Sequence, residues 1–131
     1  MRPATLNLFG DYAVTAGDDY SLEVQVGGVF FSGVDLNEWT FVAQLRRRTG
    51  PYDTFGELTD PTAEFAVDVV ADVDGAATLT LTLDAEVTAG LDSRRRWVWD
   101  LQAVDPDGAV HTLLTGMVTV RGEVTATVGG T

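Results

Sequence analysis

The 131-residue chain has no cysteine, no lysine and one histidine, and it lacks the ~20-residue apolar run of a membrane-spanning helix. The missing cysteine removes disulfides, thiolate catalysis and Cys-based zinc sites together. The fold must therefore hold by its core alone, and a chain of this size buries roughly two-thirds of its unfolded surface. Length and composition suit one domain, expected over residues 1–124, with a flexible C-terminal tail at 125–131 that ends in Gly129-Gly130-Thr131. The start, Met1-Arg2-Pro3-Ala4-Thr5-Leu6, has no unbroken apolar stretch of the signal-peptide kind. Synthesis in a cytoplasm and no membrane partner are the corresponding expectations.

With lysine absent, all eight cations are arginine; against twenty Asp and Glu they leave a net charge of −12. That balance repels a phosphate backbone and argues against a nucleic-acid partner. A GC-rich genome explains arginine in place of lysine, alongside abundant Ala, Gly, Val and Asp, but not the clustering. Six of the eight stand in two triplets, Arg46-Arg47-Arg48 and Arg94-Arg95-Arg96.

Catalytic inventories fail one by one. His111 lies beside Thr112 in an alternating run, where a lone histidine reads as a surface or half-buried residue rather than a general base. Ser21, Ser32 and Ser93 carry no Gly-x-Ser-x-Gly elbow, and no glycine-rich phosphate loop is present. Asp72-Val73-Asp74-Gly75 superficially resembles a calcium loop, but with Gly75 at the sixth position Val70 and Leu81 would fall at the first and last ligand positions. Asp105 and Asp107 read as turn formers, and an adventitious Ca²⁺ between loops stays open. Asp100 is the one acid within a strongly apolar run; a single buried acid is no glycosidase pair, and its role would be to hold a backbone N–H or an arginine. The expectation is a non-enzyme with no cofactor and no metal.

What the chain does have is period-two alternation. Leu22, Val24 and Val26 alternate with Ser21, Glu23 and Gln25; Trp39, Phe41, Ala43 and Leu45 with Thr40, Val42 and Gln44. Phe65, Val67, Val69 and Ala71 follow, then Leu79, Leu81 and Leu83 against Thr78, Thr80 and Thr82. Trp97, Trp99, Leu101 and Ala103 form another run, and Val110, Thr112, Leu114, Gly116, Val118 and Val120 share one side of the last. One face to a core and one to water is what such spacing serves. Asp74-Gly75 is a hairpin signal, and in Asp105-Pro106-Asp107-Gly108 proline presets φ while glycine takes the left-handed position. Ala4–Phe9 and Tyr12–Thr15 are weaker strand candidates broken near Gly10, and only Asp84 to Leu91 has room for a helical turn. The pattern predicts an all-β fold: an antiparallel immunoglobulin-like β-sandwich of about seven to eight strands, with an OB-like or jelly-roll barrel as competitor. Residues 48–63, with Gly50, Pro51, Gly56 and Pro61, form the longest connection.

If the runs 39–47 and 96–103 are antiparallel neighbours, both arginine triplets reach the same end of the fold. They would then either neutralise Asp53, Glu57, Asp60 and Asp92 or form a docking patch for an acidic partner, arginine favouring bidentate carboxylate contacts.

Several segments, taken in order, resemble small tailed-phage virion proteins. They are Gly17-Asp18-Asp19-Tyr20-Ser21-Leu22, Val34-Asp35-Leu36, Trp39-Thr40-Phe41 with Ala43-Gln44-Leu45-Arg46, and Trp97-Val98-Trp99-Asp100-Leu101-Gln102. The ending, Asp107-Gly108, Thr112-Leu113-Leu114, Gly116-Met117-Val118-Thr119-Val120 and Glu123-Val124-Thr125, is similar as well. The resemblance spans about residues 4–126; Asn37-Glu38 departs from it, standing where that family has a glycine after Leu36. It implies an immunoglobulin-like virion protein, either a minor tail, baseplate or adaptor component or a capsid decoration protein. Other virion subunits would be its partners in a symmetric particle, with no catalytic residues to carry over. A carbohydrate-binding or adhesin-like module is the alternative, for which Phe31, Tyr52 and Phe55 are the aromatics to inspect.

Overall fold

A computed structural model describes residues 3–27, 31, 35–47, 63–71, 76–94 and 96–122. The Asp74-Gly75 turn, Arg48, Arg95, most of the 48–63 connection with Tyr52 and Phe55, and the 125–131 tail lie outside the described residues.

The alternating runs become strands. They are β1 (Ala4–Thr5), β2 (Val14–Thr15), β3 (Tyr20–Val26), β4 (Thr40–Arg47), β5 (Ala63–Ala71), β6 (Ala77–Leu83), β7 (Trp97–Val104), β8 (Val110–Val118) and β9 (Val120–Arg121). A short helix, α1 (Ala85–Ala89), occupies the one segment with room for it. The protein is all-β. Seven strands bond in the order β1-β8-β7-β4-β5-β6-β3, and β2 pairs with β9.

β5 joins two layers. Its first residues pair with β4 (Leu45↔Ala63, Ala43↔Phe65), whereas Ala66–Ala71 pair with β6. Phe65 sits at that handover, its ring 6.3 Å from Tyr20 of β3 and 6.1 Å from Trp99 of β7. The sheet folds over, and Leu22, Phe41, Leu45, Leu79, Leu81, Trp99 and Leu101 fill the interior between its halves. On the wet side of the β3–β6 pair, Ser21, Glu23 and Gln25 stand opposite Thr82, Thr80 and Thr78, so polar side chains share the solvated face.

Two features depart from the expectation of a purely antiparallel sheet with one unbroken final strand. First, the N-terminal segment runs parallel to the last strands. β1 pairs parallel to β8, Leu8 bridges Val118, and β2 pairs parallel to β9. Gly116 permits this passage: a Cβ there would overlap the Leu6 carbonyl, the oxygen that accepts the Trp99 indole N–H at 2.8 Å. Second, β8 carries a bulge. Leu101 faces Leu114 but Gln102 faces Thr112, which leaves Leu113 as the extra residue. The slip reverses the phase of the strand's first half, burying Leu113 at 8% exposure while Val110 stays 58% exposed.

Candidate interaction surface

β4 and β7 pair antiparallel over their full length, with Arg46 opposite Val98 and Arg47 opposite Trp97. The end of one strand therefore lies beside the start of the other, and Arg94 and Arg96, just before β7, join Arg46 and Arg47 at one end of the sheet. Arg121 of β9 lies at the same end, its guanidinium donating to the Gly10 carbonyl at 2.7 Å. Arg46 donates to Gln44 Oε1 at 2.7 Å, and Arg94 pairs with Asp92 at 3.2 Å with its side chain 88% exposed. An ion pair so open to water stabilises little. The juxtaposition of the described triplet residues agrees with the spacing argument.

Acids at this end belong mostly to the other layer. α1 is held on the β2–β3 turn by Asp19, whose Oδ1 accepts the Ala85 N–H at 2.7 Å. The fully buried Thr88 hydroxyl accepts the Gly17 N–H at 3.1 Å and lies 2.7 Å from the Asp18 carbonyl it donates to. Tyr20 donates its hydroxyl to the Tyr12 carbonyl at 2.7 Å, and burial pushes its phenol up to about 12.

The opposite end is acidic. Asp35, Glu38, Asp105 and Asp107 lie there, and among the described residues no arginine does. Asp105 organises the β7–β8 turn: its Oδ1 accepts from the N–H groups of Asp107 and Ala109, and Gly108 takes φ +91. These bonds, led by that from Ala109, hold the Asp105 carboxyl below its usual range, and His111 Nε2 lies 3.2 Å from its Oδ2. His111 stacks on Trp39, ring centres 5.6 Å apart, and Trp39 meets Phe31 edge-on at 5.3 Å. Phe31 is 2% exposed, so it belongs to the core and offers no face to a sugar.

Asp100 sits in mid-sheet between Gln44 and Thr115. Its buried Oδ1 has no hydrogen-bond partner among the described residues, and of the two expected roles, holding a backbone N–H or an arginine, the charge of Arg46 on its carboxyl agrees with the second. Desolvation raises its carboxyl pKa, and the Arg46 charge offsets this only in part. Among the described residues no three His, Asp or Glu side chains converge as a metal site.

The feature that sequence reasoning missed is a cleft of about 510 Å³. Leu6 and its neighbours wall one side, Val24–Gly27 the other, and Leu113 and Leu114 floor it. The only sequence signal for it was the weak N-terminal strand, whose partner could not be read from its own residues.

No protein-family model and no curated protein matches the chain. Among solved structures, the cycloalternan-forming enzyme from Listeria monocytogenes, in complex with a pentasaccharide substrate, is similar with a TM-score of 0.50 at 8% sequence identity. The match covers 83% of this chain and only 8% of the enzyme's length, and it is a likeness of fold. Murine CRIg is similar with a TM-score of 0.32 and 14% identity, over 93% of this chain and 94% of its own. AggA, the major subunit of aggregative adherence fimbriae type I from Escherichia coli, gives 0.37 and 10%, over 92% and 90%.

Proposed function

We propose that the chain is a bacteriophage virion structural protein, a non-enzymatic assembly module of the tail, baseplate or capsid surface. Its fold in this reading is an immunoglobulin-like sandwich. The neighbours β3-β6-β5 correspond to one sheet of that fold and β4-β7-β8 to the other, with the N-terminal segment lying parallel on β8. The sequence resemblance to tailed-phage virion proteins supports the assignment. The single observation that carries the mode of action is the gathering of Arg46, Arg47, Arg94 and Arg96 at one end of a strongly acidic chain. Arginine there presents planar bidentate donors to carboxylates of a neighbouring subunit. Such a surface steers and orients docking more than it adds affinity.

The test is incorporation. Tagged chain, expressed in a host that produces particles from the gene's native neighbourhood, should co-purify with them and be visible by gold labelling at a fixed position. Replacing Arg94, Arg95 and Arg96 with glutamine should weaken incorporation and flatten its salt dependence. Particles that form without the protein in them would overturn the reading. A carbohydrate-binding role would instead show as selective retention on a glycan array.

A further inference from the structure

Both edges of the folded sheet open onto one cleft. Among the described residues β3 pairs only with β6, and β1 only with β8, and these two strands form the facing walls. Ala4 and Leu6 stand on one side, Val24 and Val26 on the other, with Leu113 and Leu114 beneath. An extended segment laid there would meet backbone donors and acceptors at its flanks and an apolar floor below, the requirements of strand addition.

We propose that this cleft receives the C-terminal segment, residues 123–131, of a second copy of the chain. The inference rests on the assembly-module reading and names the partner. Three observations select the occupant. The segment reads Glu123-Val124-Thr125-Ala126-Thr127-Val128 before Gly129, a period-two strand pattern whose inward set, Val124, Ala126 and Val128, is small enough for a narrow cleft. Extended, those six residues span roughly 20 Å, comparable to the β3 edge they would line.

Direction is the second observation. β8 and β9 run towards the arginine end, and the described chain stops there at Gly122, close to Ser93. β3 runs the other way, from Tyr20 near that end to Val26 at the acidic one. Continuing straight on from β9, the segment leaves its own domain and enters a copy placed end to end. In that copy it lies antiparallel to β3 and parallel to β1. Filling its own cleft would require it to reverse direction after β9.

Charge is the third. In the β4–β7–β8 layer the stacking places Arg46, Arg47, Arg94 and Arg96 of the donor, with Arg121 of β9 beside them, over Asp35, Glu38, Asp105 and Asp107 of the acceptor. The donor's Asp18, Asp19, Asp84 and Glu86 lie at the same end but in the other layer. The same surface never meets itself, so the contact is heterologous and builds a ring or a filament according to its rotation.

Sedimentation of the full chain, of a chain ending at Gly122, and of the latter with a synthetic 123–131 peptide tests this. The full chain should self-associate with rising concentration. The shortened chain should be monomeric with an unchanged melting temperature. The peptide should bind the shortened chain and shift the amide resonances of residues 4–6 and 23–27. Replacing Val124 and Val128 in the peptide with aspartate should weaken binding at least about tenfold. A full chain that stays monomeric at millimolar concentration, or a monomer whose own segment protects those amides, overturns the proposal. Particle incorporation separates the two readings: if the shortened chain enters particles as well as the full one, this inference fails and the assembly role stands. If neither enters, the assembly role itself fails.

Discussion

At the scale of single residues, the fold turns on places where a backbone or a charge is tightly confined. Gly116 is one, because the Leu6 carbonyl occupies the space a Cβ needs and is itself fixed by the Trp99 indole. Gly116→Ala must push the N-terminal segment off β8 or tilt Trp99, and should cost about 2 kcal/mol or more by urea denaturation, in the range of overpacked cores. Asp100 works in the opposite direction. Its carboxyl is raised because burial disfavours the charged form more than Arg46 favours it. Ionisation therefore penalises the folded state above the folded pKa, and the penalty disappears as pH falls and both states bind the proton. Asp100→Asn should raise the melting temperature at pH 7, with the gain shrinking to nothing below about pH 4. Thermal scans across that range check it, and a variant that melts lower at pH 7 would mean that the ionised carboxylate is stabilising.

At the scale of elements, the N-terminal segment shows both what could be read from sequence and what could not. The strong strands were legible because each carries its own alternation: Leu22, Val24 and Val26 announce an inward face whatever their partner is. Gly108 was legible because a left-handed turn position depends on local sterics. The parallel docking of β1 and β2 was hidden, since two-residue strands have no period and their register is set by β8 and β9. The β8 bulge was hidden as well: both Leu113 and Leu114 are apolar, so sequence could not choose which faces inward. The arginine cluster was half legible, following from β4–β7 pairing, but the cleft between β1 and β3 needs the folded sheet, and the weak N-terminal strand hinted at one wall alone. The segment's hold is testable through Leu8, fully buried, whose N–H donates to the Met117 carbonyl at 2.8 Å and whose carbonyl accepts from Thr119 at 3.0 Å. Leu8→Ala should cost about 2–5 kcal/mol. It should also release the amides of Leu6, Leu8 and Val14 to hydrogen exchange well before those of β4 and β7. Uniform loss of protection would show that the segment unfolds only with the whole sheet.

At the scale of the whole molecule, the described arginines are segregated to one end while acids lie at both, and the arrangement is costly to an isolated chain. A net −12 on this small body is self-repelling, while the described cations, Arg46, Arg47, Arg94, Arg96 and Arg121, are gathered at one end. Arg94 in particular is nearly free in water, so its pair with Asp92 contributes little to stability. Replacing Arg94 and Arg96 with glutamine takes the net charge from −12 to −14, two cations fewer. If those arginines serve the fold, the variant should lose stability markedly at every ionic strength. If they serve a neighbour, the monomer should lose less than about 1 kcal/mol, the upper range for exposed pairs, and most of that loss should vanish once salt screens the added repulsion. Melting curves from low to 0.5 M salt (roughly a 4 Å screening length at the top) distinguish the two. The expected result is near-convergence of variant and parent at high salt, together with weaker end-to-end association of the variant at low salt. Arginine retained for stability would keep the curves apart throughout, and the cluster would then be an internal neutralising device rather than the surface that meets the acidic end of the next subunit.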